Sequence, residues 1–335
     1  MKNFKKAALV LAVLLLLAGC KKVPSKAATK AGVNFGAAIT IGDALNQEQI
    51  KLITENFNTV VAENNMKWEN IHPKKTFYNF GDMDTIADMA VSNGMKVRGH
   101  TFIWHQQNAP YVSSIKSDDE LKAHLEEHIT KVMEHYKGKI YEYDVANEIF
   151  EEDGSFRKSF WYNRFGEEIY EFAFEVAHKA DPDAILILND YNNENAGDAK
   201  SDAQYKFVKK MVEKGVPING IGLQLHLQEN LPFSKDAIRK NVQRYGELGL
   251  KVSFTEVDVR VKTPATSEAV KHQQEIFCDL LDIALTEPNV DTFVFWGVSD
   301  AHTWVPGTFP GYGDPLPIDK DNKPKEAMKA MVKMF

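Results

Sequence analysis

The most constraining feature of this 335-residue sequence is a regular alternation of short apolar runs with longer amphipathic segments. Eight runs have the length and composition of β-strands. Several of them are almost continuously apolar, as is typical of strands that are covered on both faces. They span residues 34–40, 58–64, 96–102, 140–148, 185–192, 220–226, 251–259 and 292–300.

The segments between these runs are predicted to be helices. In one of them, Ile50, Ile53 and Phe57 recur at helical spacing, which indicates a single apolar face. The predicted helices span residues 46–57, 82–93, 118–137, 167–180, 201–214, 234–248, 267–286 and 323–335. Each predicted strand is therefore followed by a predicted helix.

Eight such pairs predict the α/β class and a single (β/α)8 TIM barrel, which we place over residues 31–335. A doubly wound open sheet is the alternative. The sequence contains no GxGxxG and no GxxxxGK[ST] motif, so the nucleotide-binding versions of that sheet lose support. The long Pro/Gly-rich stretch 301–317 follows the last strand, where a barrel would use it to wall a site.

The N-terminus has the pattern of an export signal. Residues 1–6 are basic, and residues 7–18 form an apolar run that is short for a membrane span. This run leads into the letters LAGC at positions 17–20, which resemble a bacterial lipoprotein cleavage box. The alternative is an ordinary secretory signal with a chance cysteine.

We therefore predict a signal peptide over residues 1–19, lipidation of Cys20 and a polar tether over residues 20–30. The protein would be exported and anchored to a bacterial membrane, facing the periplasm or the cell surface, or else secreted. With Cys20 lipidated, Cys278 has no disulfide partner, and we expect it to pack as a small apolar side chain.

Polar and aromatic side chains gather at the ends of the predicted strands. In a barrel of parallel strands, the carboxyl ends open together into one set of loops. In chain order the strand ends carry Glu63, Asn64, Lys67, Trp68, His100, Trp104, His105, Gln107, Asn147, Glu148, Asn189, Asp190, Asn192, Gln224, His226, Glu256, Asp258, Trp296 and Trp304. Our candidate site residues are all of these except Trp68, His105, Asn189, Asp190 and Asn192. Polar strand ends that merely meet water would carry small turn residues instead, so this mixture indicates a functional site.

Two of these residues, Glu148 and Glu256, lie on strands well separated around the predicted barrel. Their carboxyl groups can therefore face each other across its mouth. A facing pair suits glycoside hydrolysis, in which one group protonates the leaving oxygen and the other attacks or activates water. Two independent surface glutamates are the alternative.

The tryptophans support a sugar-binding site. Trp68, Trp104, Trp296 and Trp304 all lie just past strand ends. Indole rings stack on the apolar faces of sugar rings, while amide, imidazole, amine and carboxylate groups bind hydroxyls. Core packing is the alternative for each tryptophan, and for Trp68 the two readings carry equal weight.

Other chemistries have weaker patterns. His100, His226 and Glu256 could form a mononuclear metal site, but the sequence has no HExxH or CxxC motif. A serine nucleophile lacks its GxSxG elbow. The net charge of −7 argues against nucleic acid as a partner. We expect no metal and no cofactor.

Seven motifs occur in order along the chain: ENNMKW (63–68), RGHTFIWHQQ (98–107), YDVANEIF (143–150), LNDYN (188–192), GIGLQLHL (220–227), FTEVDVR (254–260) and FWGVSDAHTW (295–304). Over about residues 30–335 the chain resembles glycoside hydrolase family 10, the endo-1,4-β-xylanases. The resemblance implies retaining hydrolysis of internal β-1,4-xylosidic bonds through a covalent glycosyl-enzyme. Its partners would be xylan and xylo-oligosaccharides. We expect a monomer that meets a membrane only through its lipid anchor.

The resemblance also implies catalytic roles. Glu148 would be the general acid and then the general base, and Glu256 would be the nucleophile. Asn147 would hold the 2-hydroxyl of the sugar that is cleaved. His226 would bond Glu256, with Asp258 orienting the imidazole.

On the non-reducing side of the scissile bond, the resemblance implies hydroxyl binding by Glu63, Asn64, Lys67, His100 and Gln224. Trp296 would floor the site. Trp304 and Gln107 would crowd the position where a hexose carries its CH2OH group, which favours xylose over glucose.

Two residues depart from the family pattern on the leaving-group side. Ile149 follows the acid/base glutamate where a small residue is common, and Tyr111 stands where tryptophan is frequent. These departures put fine specificity in doubt rather than the reaction. Two alternatives stay open: a glycan-binding lipoprotein without catalysis, and the same mechanism acting on another β-1,4-glycan.

Overall fold

A computed structural model of the chain describes residues 22–335, and the predicted signal peptide and Cys20 lie outside this range. The strands are β1 (Asn34–Ile39), β2 (Thr59–Ala62), β3 (Lys96–Ile103), β4 (Ile140–Asn147), β5 (Ile185–Asp190), β6 (Gly220–Leu223), β7 (His226–Gln228), β8 (Lys251–Lys262), β9 (Val290–Phe295) and β10 (Tyr312–Gly313). All except β7 and β10 form one parallel ring, which closes because β9 pairs with both β8 and β1. The predicted (β/α)8 barrel is confirmed.

Helices connect the strands and cover the outside of the ring. They are α1 (Pro24–Ala31), α2 (Ile41–Leu45), α3 (Gln47–Asn56), α4 (Trp68–Ile71), α5 (Gly81–Ser92), α6 (Pro110–Ser114), α7 (Asp118–His135), α8 (Phe160–Phe165), α9 (Glu168–Ala180), α10 (Ala199–Glu213), α11 (Lys235–Glu247), α12 (Ser267–Thr286), α13 (Val305–Thr308) and α14 (Glu326–Met334), with a 3-10 turn at Asp300–His302. Within the described range, none of them is long and apolar enough to cross a membrane.

Local chemistry sets the limits of the helices. Helix α7 begins where the Ser117 side chain accepts a hydrogen bond from the backbone N–H of Glu120, and acidic residues fill its first turn. Helix α12 begins in the same way at Thr266, which caps Ala269. Cys278 lies on α12, half-buried against the core and free, as expected for a small apolar side chain.

Two predicted strands are wrong at their carboxyl ends. The strand predicted over 220–226 stops at Leu223, because Leu225 has a φ of 60°, which no extended strand allows. The strand predicted over 292–300 stops at Phe295, and Gly297 follows with a φ of 140°. Both breaks turn the chain into loops at the carboxyl-terminal face of the barrel.

The polar tether predicted over residues 20–30 is wrong from Pro24 onward, because these residues form α1. Pro24 occupies the first turn, where its missing N–H costs nothing, and Gly32 ends the helix in the left-handed conformation. Ala28 is fully buried, and Thr29 accepts a 3.0 Å hydrogen bond from the Asn58 amide. Helix α1 is therefore part of the folded domain.

Candidate active site

The strand ends surround a cleft of about 670 Å³ at the carboxyl-terminal face of the barrel. Ten of the predicted site residues line it: Glu63, Lys67, His100, Trp104, Glu148, Gln224, His226, Glu256, Trp296 and Trp304. The other lining residues are His105, Gln106, Arg157, Tyr191, Asn192, Arg260, Thr308 and Phe309. Side chains from distant parts of the sequence thus converge on one cavity.

Four predicted residues do not line the cleft. Asn147 and Asp258 are buried directly behind it. Asn64 accepts a 2.8 Å hydrogen bond from Lys67 and so positions this lining residue. Gln107 turns its amide toward Glu69, at 2.8 Å, so the structure does not place it against the cavity.

Glu256 is held from two sides inside the cleft. One carboxylate oxygen accepts a 2.8 Å hydrogen bond from the Asn189 amide, and the other lies 3.1 Å from Nε2 of His226. The hydroxyl of Thr255 donates to the Asn189 carbonyl oxygen at 2.7 Å, which points the Asn189 NH2 group at Glu256. Gly222 leaves room for this amide, because a β-carbon there would collide with it.

His226 bridges two carboxylates and is charged as a result. Its Nδ1 lies 2.9 Å from Asp258, which also accepts a 2.8 Å hydrogen bond from the indole N–H of Trp304. Burial opposes the charge of the imidazole, but Asp258 and Glu256 raise the pKa of His226 to about 10. The ring therefore donates from both nitrogens near neutral pH.

The surroundings of Glu256 favour its ionised form. Burial alone would raise its pKa, but the hydrogen bond from His226, the proximity of His100 and the Asn189 amide together hold the pKa of Glu256 below its ordinary value. This carboxylate is a fixed anion, which is the state required of a nucleophile.

Glu148 lies directly after β4 in a different setting. Its backbone has a φ of 55°, a conformation that is rare for residues other than glycine and is found at functional sites. A 2.9 Å hydrogen bond from its N–H to the carbonyl of Asn189 and a 2.8 Å bond from Arg157 to its own carbonyl hold this turn. The turn directs the carboxyl group into the cleft.

A cluster of three buried amides joins the two glutamates. The side chain of Gln224 lies 3.3 Å from Glu148 and 3.2 Å from Asn147. Asn147 lies 3.0 Å from Asn189, which bonds Glu256. Both carboxylates therefore meet the same short hydrogen-bonded cluster, and Asn147 contacts its members Gln224 and Asn189 as well as Glu148.

One wall of the cleft carries a carboxylate, Glu63, and an ammonium group, Lys67, which both bond Asn64. The Glu63 carboxylate accepts a 3.2 Å bond from Asn64, and the Lys67 ammonium lies 4.8 Å from the centre of the Trp104 ring. Burial raises the pKa of Glu63 and lowers that of Lys67. Half-desolvated donors and acceptors of this kind bind hydroxyl groups well.

A buried ionic network inside the barrel supports His100. Asp144 lies 2.8 Å from Nδ1 of His100 and accepts a 2.8 Å hydrogen bond from Arg98. Arg98 also pairs with Glu142, which accepts a 2.9 Å hydrogen bond from Ser253. All of these side chains are buried, so the imidazole is held rigidly at a cleft position.

The same contacts argue against a metal site. His226 already bonds a carboxylate at each ring nitrogen, so it has no free nitrogen for an ion at the site considered with His100 and Glu256. His100, Asp144 and Glu256 also lie close together, but the Arg98 guanidinium occupies the place of a cation beside Asp144.

Some site residues were not assigned roles from the sequence. Asn189 lies in the LNDYN motif, which could have marked it. Arg260 ends the FTEVDVR motif, but an arginine at a strand end is usually a surface residue; Arg157 lies in none of the seven motifs. Trp68 proves to be core: it is 2% exposed and stacks on His128 at 3.9 Å.

Comparison with known proteins agrees with this geometry. Residues 24–334 match the model of a family described as Glycosyl hydrolase family 10. The chain is 37% identical over 328 residues to endo-1,4-beta-xylanase B of Thermotoga neapolitana, with 94% of each chain covered. It is 40% identical over 314 residues to the beta-1,4-xylanase of Dictyoglomus thermophilum, with 88% of each covered.

Solved structures give the same result. The crystal structure of xylanase 10B from Thermotoga petrophila RKU-1 in complex with xylobiose has a TM-score of 0.90 with this chain at 36% identity, covering 94% of this chain and 98% of that one. The native xylanase 10B of Thermotoga maritima has a TM-score of 0.89 at 37% identity. The chain therefore belongs to glycosyl hydrolase family 10.

Proposed function

We infer that this protein is an endo-1,4-β-xylanase that hydrolyses internal bonds of xylan with retention of configuration. The observation that carries this function is the unequal pair of glutamates: Glu256 is fixed as an anion by Asn189 and His226, while Glu148 lies on a strained turn that directs it into the cleft. The relatives named above are xylanases, and one of them was crystallised with xylobiose.

In the first step, Glu148 donates its proton to the glycosidic oxygen while a carboxylate oxygen of Glu256 attacks the anomeric carbon. The bond between that carbon and the leaving oxygen breaks, and an ester bond to Glu256 forms. Asn147 lies beside Glu148 and next to Asn189, where it can hold the 2-hydroxyl as the transition state develops.

In the second step, the roles of Glu148 and water follow from the change in charge. Glu256 is now an uncharged ester, so Glu148 no longer faces an anion and is stable as a carboxylate. It removes a proton from water, which attacks the anomeric carbon from the face that the leaving group vacated. The ester breaks, Glu256 regains its charge and Glu148 its proton.

A preference for xylose over glucose is assigned to Trp304. The hydrogen bond from its indole N–H to the buried Asp258 fixes the ring at the cleft wall. A fixed wall rejects the extra CH2OH group of a hexose, which a mobile side chain would accommodate. Because Gln107 is turned toward Glu69, this role rests on Trp304.

The function is tested by three measurements on purified protein. Reducing sugar should be released from soluble xylan, and kcat/KM should be higher for xylo-oligosaccharides than for cello-oligosaccharides. Proton NMR of the first products should show the β-anomer. Binding of xylan without release of sugar would instead establish a glycan-binding protein, and a preference for cello-oligosaccharides would reassign the substrate.

We propose further that the protein is exported and anchored through a lipid on Cys20. The support is the basic segment 1–6, the apolar run 7–18 and the LAGC letters that end at Cys20. Because α1 begins at Pro24, the tether between anchor and barrel would be short. A Cys20→Ser variant should no longer incorporate labelled fatty acid, and unchanged labelling would contradict the anchor.

A further inference from the structure

The wall of the cleft at β8 carries an arginine that has no part in the proposed reaction. Arg260 lies two residues after Asp258 and lines the cavity beside Trp304 and Phe309. The other five arginines each have a carboxylate within 4.0 Å: Arg98, Arg157, Arg164, Arg239 and Arg244. Among the residues that the structure describes, no carboxylate lies that close to Arg260.

Most donors of Arg260 have no protein acceptor. Its Nε donates to the Gln228 carbonyl oxygen at 3.1 Å, and one Nη atom lies 3.4 Å from the carbonyl of His226. A guanidinium group has five N–H bonds, so three of them have no acceptor among residues 22–335. The group also lies 4.0 Å from the centre of the Phe309 ring. Stacking of this kind covers one face and leaves the N–H edge open.

The charge of Arg260 is partly desolvated without being neutralised. Burial lowers its pKa from the ordinary arginine value, and the charge of Asp258 offsets only part of this effect. The guanidinium nevertheless stays protonated, as arginine does in proteins. An anion that bound its open edge would recover the electrostatic energy that burial removed.

We propose that Arg260 binds the carboxylate of an acidic substituent on the xylan chain, a uronic acid branch. The inference rests on the proposed function, because it concerns a decoration of the same substrate. A planar guanidinium on a fixed support matches a carboxylate in bidentate geometry.

The other cations that line the cleft already have polar partners. Lys67 donates to Asn64, Arg157 has the Glu151 carboxylate within 3.8 Å, and His226 lies between Glu256 and Asp258. Arg260 is therefore the lining guanidinium with an open edge among the described residues, and an acidic branch would be attracted to it.

The test compares two substrates that differ only in charge. One is a xylo-oligosaccharide with a single glucuronic acid branch, and the other is the same molecule with its carboxyl group reduced to CH2OH. The wild-type protein should show a kcat/KM about tenfold higher for the acidic form, as expected for charge-assisted hydrogen bonds. Salt at about 0.5 M should reduce this ratio.

Variants of Arg260 then test whether this residue causes the preference for the acidic substrate. Arg260→Met should abolish the preference for the acidic form, and Arg260→Lys should keep part of it. Arg164→Met removes an arginine that pairs with Asp118 outside the cleft and should keep the wild-type ratio. Because the ratio is taken within one protein, a general loss of activity does not affect it.

An unchanged ratio in Arg260→Met, or a wild-type ratio of one, would overturn the inference. A wild-type protein that hydrolysed neither form nor unbranched xylo-oligosaccharide would overturn the proposed function instead. The two failures are therefore distinguishable in a single experiment.

Discussion

The side chains of the two glutamates that we propose as catalytic differ in how firmly they are held. The Glu256 side chain is 5% exposed and has a hydrogen bond to each oxygen, the longer of them 3.1 Å. The Glu148 side chain is 13% exposed, and its polar contacts lie at 3.3 Å or more. A fixed anion and a looser proton carrier are what a two-step displacement needs.

This difference predicts distinct behaviour of two alanine variants. Glu148→Ala should lose about 10²–10⁴ in kcat on xylan but should keep much of its first step on an aryl xyloside with a good leaving group, which needs little protonation. Azide should restore its turnover, because a small anion can replace the water that needs a base. Glu256→Ala should be inactive on every substrate. Similar rates for both variants on the activated substrate would show that the roles are misassigned.

The bridge from Asp258 through His226 to Glu256 predicts a pH effect. The raised pKa of His226, about 10, means that its charge is kept at lower pH and is lost as pH rises through that value. Asp258→Asn removes the main stabilising charge, so the pKa of His226 falls. The NMR titration of the His226 imidazole should then move to lower pH.

The control for this variant is Asp183→Asn, which changes an exposed aspartate outside the cleft. It should keep the wild-type titration of His226. If the Asp258→Asn titration also coincided with wild type, Asp258 would have no part in keeping this imidazole charged.

At the scale of elements, the ends of the barrel strands shape the site. Gln107, Glu148, Asn192 and Leu225 adopt positive φ close behind the ends of barrel strands, although none of them is glycine. Such conformations cost about 1–3 kcal/mol each and persist only where the surrounding structure holds them. The strand over 140–148 was predictable from its apolar run. The left-handed turn at Glu148 was not, since nothing local in the sequence favours it.

Helix α1 is a second feature that the local sequence did not predict. Its composition, PSKAATKA, is polar enough to indicate a tether. Only the barrel surface makes it a helix, because Ala28 is buried there and Asn58 bonds both Thr29 and the Val33 carbonyl. A contact between positions 29 and 58 cannot be read from either segment alone.

Truncation tests the contribution of α1. A chain that begins at Val33 should be less stable than one that begins at Lys22 by about 1–3 kcal/mol, because it loses the buried Ala28 side chain and the bond to Asn58. Urea unfolding of both chains measures the difference. Equal midpoints would show that α1 adds nothing to the fold and would restore the tether interpretation for residues 24–30.

At the scale of the whole molecule, ring closure brings the site together. Eight repeats of strand and helix were enough to predict closure, and closure brings Glu148 of one strand end and Glu256 of another to the same cleft. Asn189 bonds Glu256 and Asp258 bonds His226 because the folded barrel brings these side chains together. Roles such as that of Arg260 depend on the absence of a partner, which becomes visible only in three dimensions.

Acid sensitivity of the fold is predicted by a buried pair of histidines. Nδ1 of His72 lies 3.3 Å from Nδ1 of His128, and burial lowers the pKa of His72 to about 4. Burial also lowers the pKa of His128 well below its ordinary value. Between pH 6.5 and 4, the unfolded chain therefore binds protons that the folded chain does not. Stability should fall as pH falls through this window, by roughly 3 kcal/mol for His72 alone.

Urea unfolding at several pH values measures this dependence. His128→Phe keeps a ring that can stack on Trp68 but cannot be protonated, so its stability should fall less steeply with pH. His178→Gln changes an exposed histidine and should keep the wild-type slope. A His128→Phe slope equal to that of wild type would exclude the buried pair as the source of acid sensitivity.

In the proposed mechanism, Glu256 forms a covalent bond with the sugar while Glu148 moves the proton. The most direct test is to incubate the protein with a 2-deoxy-2-fluoro xylobioside that carries a good leaving group. The fluorine slows both steps, and the reactive leaving group lets the first step proceed, so the intermediate accumulates. Mass spectrometry of the digested protein should then find one disaccharide on the peptide that contains Glu256. A label on Glu148, or inactivation without any label, would contradict the mechanism.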